Sequence, residues 1–96
     1  MNYTRRIDAN QREIVQALKA AGASVCDLSG CGKGVPDILI GYQGRNLLAE
    51  IKRPWAKGID KSDLELTPPQ VEFFDSWLGQ VAKVTTVEEA LELLKA

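Results

Sequence analysis

Apolar positions recur with helical spacing near the start of the chain. A first helix is predicted from residue 8 or 9 to Ala21, because Asp8 and Gln11 resemble a capping box and Gly22 favours a helix end. The apolar residues that share one face at this spacing are Ile7, Ile14, Leu18 and Ala21. This face is expected to pack against a sheet.

Three apolar runs of strand length follow, over residues 23–28, 35–41 and 47–53. The glycine-rich segment SGCGKG separates the first two, and YQGRN is the turn between the second and the third. Pro36 stands near the start of the second run, where a strand tolerates proline. The runs predict three strands, of which the last two form a hairpin.

Helix and strand alternate in the remainder of the chain. A long polar connection, RPWAKGIDKSDLEL, leads to a helix over residues 68–78, for which Thr67 is a suitable N-cap. Residues 80–86 predict a fourth strand, and residues 87–96 predict a last helix capped by Thr86. The order α-β-β-β-α-β-α over 1–96 predicts a single α/β domain in which helices flank a mixed central sheet.

The register of the predicted hairpin determines the relative positions of the candidate acidic residues. A two-residue loop at Gln43-Gly44 would place Asp37 opposite Glu50. The same register places Leu39 opposite Leu48, whereas a longer loop would shift both pairs. Two opposed carboxylates repel each other, so the arrangement indicates a divalent cation between them. Oxygen ligands of this kind suit Mg²⁺ or Mn²⁺.

Lys52 joins this pair because it follows Glu50 by two residues and therefore projects from the same face of the strand. A positive charge there can orient an attacking water or stabilise charge that develops on a phosphate. Ala49 and Ile51 should point to the opposite face, into the core. The alternative is that Glu50 and Lys52 form a solvated ion pair on an edge strand.

Charge is distributed unevenly, although the net charge is only -1. Residues 1–61 carry ten Lys or Arg and six Asp or Glu, whereas residues 62–96 carry two and seven. The first part is expected to face a polyanion, with Trp55 stacking on a base. The candidate phosphate contacts are Lys33, Arg53, Lys57 and Lys61. The alternative is chance clustering of solvated charges, with Trp55 packed on the domain or on a partner.

Residue usage excludes several classes of site. The chain has no His, which removes Ser-His and Cys-His nucleophile systems, and two Cys leave too few ligands for a zinc site. Cys26 and Cys31 are expected to be reduced thiols in the cytosol, or a disulfide in an oxidising compartment. No apolar run approaches the ~18 residues of a membrane span, and the first residues lack the apolar stretch of a signal peptide. An intracellular protein without membrane association is expected.

GVPDILI followed by LLAEIKRP resembles the PD-(D/E)XK nuclease signature, here Pro36-Asp37 and Glu50-Ile51-Lys52. The wider pattern is similar to the VRR-NUC family in its small stand-alone form, which is found in phages and bacteria. The further matching parts are Glu13 on the first helix, Gly34-Val35 before Pro36, Leu66-Thr67-Pro68-Pro69-Gln70 and the strand that starts with Gly79-Gln80-Val81. The resemblance covers nearly the whole chain and implies a restriction-endonuclease-like core.

The resemblance also implies roles for individual residues. Asp37, Glu50 and the carbonyl of Ile51 would bind Mg²⁺ or Mn²⁺, and Lys52 would assist the attacking water. Glu13 would complete the acidic site, and Gln70 would point toward it. For Glu13 the alternative is a surface glutamate, and for Gln70 it is a first-turn residue that simply follows two prolines.

An endonuclease that cuts branched or four-way junction DNA as a homodimer is the function that the resemblance implies. Two alternatives remain open. One is a nucleic-acid-binding module that keeps the fold without cleaving, and the other is an assembly protein in which the carboxylates are incidental.

Overall fold

The computed structural model contains a single four-stranded mixed sheet with helices packed around it. The structure describes the backbone of residues 4–95 and the side chains of residues 10–95. Its elements are α1 (Thr4–Ala20), β1 (Ser24–Asp27), β2 (Ile38–Tyr42), β3 (Arg45–Ile51), α2 (Lys61–Leu64), α3 (Pro68–Ser76), β4 (Val81–Val84) and α4 (Val87–Leu93). The strands lie in the order β1-β2-β3-β4, which confirms the predicted α/β class and mixed sheet.

The first helix is longer than its pattern predicted. It begins at Thr4, so a start at residue 8 or 9 is wrong, and the predicted capping-box side chain of Asp8 lies outside the described side chains. Its end agrees closely with the prediction. Gly22 has φ +101° and its N–H donates to the Lys19 carbonyl at 3.0 Å, as in a glycine-terminated helix.

The hairpin between β2 and β3 has the predicted two-residue loop. Gln43 and Gly44 have φ angles of 49° and 80°, the left-handed values that a type I′ turn requires at both central positions. The strands pair in antiparallel fashion with Leu39 opposite Leu48, which confirms the predicted register. Because the turn sets the register, it also decides which side chains share a face at the far end of the hairpin.

The hydrophobic core lies on one face of the sheet, beneath α1 and α4. Ile38, Ile40 and Ala49 are fully buried there. Ile14 and Leu18 of α1 pack against them, as the helical spacing predicted. The other core members are Ala23, Leu47, Ile51, Val84, Ala90 and Leu94. The predicted inward orientation of Ala49 and Ile51 on β3 is confirmed.

The return from β3 to the parallel strand β4 runs through α2 and α3. Within the long polar connection, the four-residue helix α2 was not predicted. Thr67 is the N-cap of α3 as expected, but the helix ends at Ser76, two residues before its predicted end. Within residues 4–95, no helix has the length and apolar character that a membrane crossing needs.

Candidate active site

Asp37 and Glu50 lie together at the end of the β2–β3 hairpin away from the turn. Ile38 pairs with Ala49, so one further step of the same register brings Asp37 opposite Glu50 on the face that does not carry the core. The backbone N–H of Ile51 donates to Asp37 Oδ2 at 2.9 Å, which holds that carboxylate against β3. The two carboxyl groups are close enough for the charge of Asp37 to raise the pKa of Glu50.

Pro36 explains why the backbone is open beside the pair. The register places Pro36 opposite Ile51, and proline has no N–H to donate to the Ile51 carbonyl. The N–H of Ile51 bonds to the Asp37 side chain rather than to the neighbouring strand. The Pro-Asp pair therefore ends the β2–β3 ladder at the point where an oxygen-ligand site would need a free main-chain carbonyl.

Glu50 is buried, with 3% of its surface exposed, and it receives polar contacts from α3 and from Lys52 just beyond the end of β3. Gln70 Nε2 of α3 donates to Glu50 Oε2 at 3.1 Å, and Lys52 Nζ lies 3.7 Å from the same oxygen. Glu50 Oε1 is buried without a hydrogen-bond partner among the described residues. An orphaned carboxylate oxygen costs free energy, so this atom indicates that the site is built for something that binds oxygen.

Lys52 is held at both its ends. Its Nζ donates to the Ser62 carbonyl of α2 at 2.9 Å, and only 6% of the residue is exposed. Asn10 Nδ2 of α1 donates to the Lys52 carbonyl at 3.0 Å and to the Thr85 carbonyl at 3.4 Å. Neither Asn10 nor Ser62 was predicted as a site residue. Asn10 precedes Ile14 by one helical turn and could have been recognised by that spacing, whereas a backbone carbonyl such as that of Ser62 has no sequence signal.

The electrostatics of the pair differ from those of solvated carboxylates. Burial raises the pKa of Glu50 to about 8, and repulsion from Asp37 adds to this effect while Lys52 opposes it. Burial also raises the pKa of Asp37, against the opposing hydrogen bond from Ile51 N–H. The pair therefore holds a proton to higher pH than solvated carboxyl groups do.

The residues present fit a hard divalent cation. Asp37 and Glu50, with the Ile51 carbonyl that the resemblance implies as a ligand, would form an all-oxygen donor set, which is the kind that Mg²⁺ and Mn²⁺ prefer. Mg²⁺ commonly binds through one or two carboxylates and keeps several waters, so a third acidic residue is not required. A cation would also relieve the repulsion between Asp37 and Glu50 and satisfy Glu50 Oε1.

Among residues 10–95, whose side chains the structure describes, no third acidic residue joins this group. Across the described residues there is no set of three or more His, Cys, Asp or Glu that could hold a metal ion. Glu13 is exposed on α1. Asp27 is near enough to contribute to the raised pKa of Asp37, but its carboxylate accepts bonds from its own neighbour Ser29 at 2.6 and 2.8 Å. The participation of Glu13 stays a prediction.

Three of the four predicted phosphate contacts are exposed at the surface. Lys33 is exposed in the loop before Pro36, and Lys57 is exposed in the long connection. Arg53 is half-buried, and Lys61 is exposed with its Nζ 3.9 Å from Glu65. Trp55 is 78% exposed, so it does not pack on the domain. Cys26 and Cys31 are both free and exposed.

Comparison of the chain with protein-family models, with curated proteins and with solved structures found no significant match. The functional inference therefore depends on the motif and on the geometry of Asp37, Glu50, Lys52 and Gln70.

Proposed function

We propose that this protein is a metal-dependent nuclease of the PD-(D/E)XK type, which hydrolyses phosphodiester bonds of DNA with Mg²⁺ or Mn²⁺. The observation that supports this most directly is the pairing of half-buried Asp37 with buried Glu50, with Lys52 and Gln70 both directed at Glu50 Oε2. A buried, charged cluster without a function would only lower the stability of the fold, because burial removes the charges from water. Perturbed carboxylates of this kind are concentrated at functional sites.

The reaction adds water across a P–O bond. The water oxygen bonds to phosphorus, the bond to the leaving oxygen breaks, and the leaving oxygen takes up a proton. Asp37, Glu50 and the Ile51 carbonyl hold the cation, which supplies Lewis-acid activation of the phosphate when it is bound.

The other polar side chains act on the reacting groups or on the ligands. Lys52 has three N–H donors, one of which is used on Ser62, and its ammonium can orient the attacking water and stabilise negative charge on the phosphate oxygens. Gln70 fixes the orientation of Glu50 through the bond from its Nε2. This is the role that outer partners of metal ligands have in many sites.

The proposed substrate is branched DNA, and the proposed active form is a homodimer. One domain carries one site and cuts one strand at a time, whereas two matched cuts at a junction follow naturally from two-fold symmetry. Large apolar side chains are exposed and available to a partner: Trp55 and Trp77 are 78% and 46% exposed, and Leu78 is 99% exposed. Light scattering is expected to give twice the 10.5 kDa chain mass.

A cleavage assay on linear, flapped and four-way DNA, with Mn²⁺ and with EDTA, tests the proposal. We expect cutting only with the metal, and faster cutting of the four-way substrate. Asp37→Ala should abolish both the cleavage and the binding of Mn²⁺ measured by calorimetry, because it removes one of two carboxylate ligands. Asp60→Ala is the matched control, since Asp60 is an exposed aspartate. Metal-independent cutting, or Mn²⁺ binding that survives in Asp37→Ala, would contradict the site assignment.

A further inference from the structure

The loop before Pro36 contains a second turn of the same kind as the hairpin turn. Val35 N–H donates to the Gly32 carbonyl at 3.1 Å, and the two residues between them, Lys33 and Gly34, have φ angles of 56° and 79°. These are the left-handed values of a type I′ turn. Gly34 and Gly44 thus occupy equivalent turn positions, with φ of 79° and 80°.

The two glycines differ in their surroundings. A Cβ at Gly44 would meet no atom within 4 Å. A Cβ at Gly34 would lie 2.6 Å from the carbonyl carbon of Pro69 and 3.1 Å from the backbone N of Gln70, and closer still to Pro69 O. These atoms belong to the first turn of helix α3. The backbone of the type I′ turn at Gly34 therefore packs directly on the backbone at the start of α3.

The first turn of α3 carries the contact with the acidic pair. The Thr67 N–H donates to Gln70 Oε1 at 2.9 Å, which fixes the side-chain amide against the helix start. The Nε2 of the same amide then donates to Glu50 Oε2 at 3.1 Å. Because one end of the amide is fixed to the helix backbone, the distance of the first turn from β3 decides whether the other end reaches Glu50.

We propose that Gly34 is a positioning residue: its lack of a side chain lets the first turn of α3 approach closely enough for Gln70 to bond to Glu50. Adding a methyl group at Gly34 would push on backbone atoms of Pro69, which cannot rotate away as a side chain could. The helix start must then move outward and take Gln70 with it. The consequence for cleavage rests on the proposed function, whereas the displacement of Gln70 does not.

Gly34→Ala and Gly44→Ala form the matched pair for the test, since both introduce alanine at the same positive φ and only the first introduces a collision. The direct readout is the NMR signal of the Gln70 side-chain NH₂, assigned by its absence in Gln70→Ala. We expect Gly34→Ala to shift this signal toward the position of a solvated amide. Gly44→Ala should leave it unchanged, although both variants lower the unfolding midpoint through the same backbone strain.

Cleavage supplies a second readout that depends on the proposed function. We expect Gly34→Ala to lower kcat by about 10-fold, in the range for partners of metal ligands, with little change in KM. In a Gln70→Ala background the same substitution should lower kcat no further, because the contact through which it acts is already absent. If the wild-type chain cleaves no DNA, the proposed function fails while the NMR comparison still decides the role of Gly34.

An unshifted Gln70 signal in Gly34→Ala, or an equal shift in both glycine variants, would overturn the proposal. If Gly34→Ala unfolds under ordinary conditions, the spectra are compared in concentrated sucrose, which favours the compact state. A variant that stays unfolded there also overturns the proposal, because Gly34 would then be required for the fold as a whole rather than for the placement of Gln70.

Discussion

The two faces of β3 are buried to nearly the same extent, yet their chemistry is opposite. Ala49 and Ile51 face α1 and α4, with 0% and 4% of their surfaces exposed. Glu50 and Lys52 alternate with them, with 3% and 6% exposed. On the first face burial removes apolar surface from water and stabilises the fold, whereas on the second face burial removes charge from water and costs free energy.

This difference shows that burial alone does not identify a core. The charged face is buried because α2 and the start of α3 pack over it: Ser62 accepts a bond from Lys52, and Gln70 donates one to Glu50. These contacts offset part of the desolvation cost without removing it, because Glu50 Oε1 has no partner among the described residues. The core face should therefore govern stability and the charged face should govern activity.

Lys52→Ala is expected to separate activity from stability most strongly. Loss of one donor that stabilises developing charge lowers kcat by about 10²–10³-fold in well-studied sites, and we expect at least this loss in the cleavage assay. Mn²⁺ binding should persist or tighten in calorimetry, because the substitution removes a positive charge 3.7 Å from the proposed ligand Glu50.

Lys95→Ala is the matched control, since Lys95 is an exposed lysine in an ion pair with Glu92 and lies far along the chain from the site. Its cleavage rate should equal that of the wild type. A Lys52→Ala enzyme that cuts DNA at the wild-type rate would remove the catalytic role of Lys52, and loss of Mn²⁺ binding would show that Lys52 supports the ligands instead.

Ile40→Ala should produce the largest loss of stability. Ile40 is fully buried under α1, and truncation of such a residue typically lowers the free energy of unfolding by about 2–5 kcal/mol. Leu39 is adjacent to Ile40 but lies on the other face of the sheet, where it is only half-buried. Leu39→Ala should therefore lower the free energy of unfolding distinctly less. Urea unfolding of the two variants measures the difference. Equal losses would contradict the view that the two faces contribute unequally to stability.

The stability of the metal-free protein should fall as the pH rises from about 5 to 8. Burial raises the pKa of Glu50 to about 8 from the usual 4.5, so between these values the folded state holds a proton that the unfolded state has released. This contribution is fully present below pH 4.5 and is lost as the pH rises through 8. One proton accounts for a slope of up to about 1.4 kcal/mol per pH unit.

Glu50→Gln removes the titrating group and should flatten this dependence in urea unfolding measured across the same pH range. Mn²⁺ should counteract the loss in the wild type, because a cation favours the ionised pair and its apparent affinity rises with pH. A wild-type profile that matches that of Glu50→Gln would show that Glu50 is ionised at neutral pH in the folded protein.

The hairpin and its acidic pair could be predicted from the sequence because short-range rules decide them. Gln43-Gly44 selects a two-residue type I′ turn, the turn sets the register, and the register brings Asp37 opposite Glu50. Alternation along β3 then assigns Lys52 to the same face. None of these local rules involves a distant element of the fold.

The remaining features depend on packing that the sequence does not reveal. α2 is one turn long, too short for its periodicity to be recognised. Trp77 and Leu78 continue the apolar pattern of α3, but the backbone is already extended at Trp77, with ψ 124°. The close approach of Gly34 to α3 is a contact between two backbones, for which side-chain patterns carry no information.

The smallest expected effect is that of single surface lysines outside the site on the salt dependence of DNA affinity. The charged face is the one that should meet DNA, while α4, with its exposed Glu88 and Glu89, packs on the core side. Each lysine that contacts a phosphate of duplex DNA contributes a slope of about -0.9 to the dependence of log affinity on log salt.

In an Asp37→Ala background, which should not cleave, Lys57→Ala is expected to reduce the salt slope by about this amount. Lys61→Ala should reduce it less, because Glu65 lies 3.9 Å from its Nζ and already neutralises part of its charge. Fluorescence anisotropy across a salt series measures both, with Lys95→Ala as the variant that should leave the slope unchanged. A slope that responds equally to all three lysines would mean that DNA is attracted by overall charge rather than by the face that carries Asp37 and Glu50.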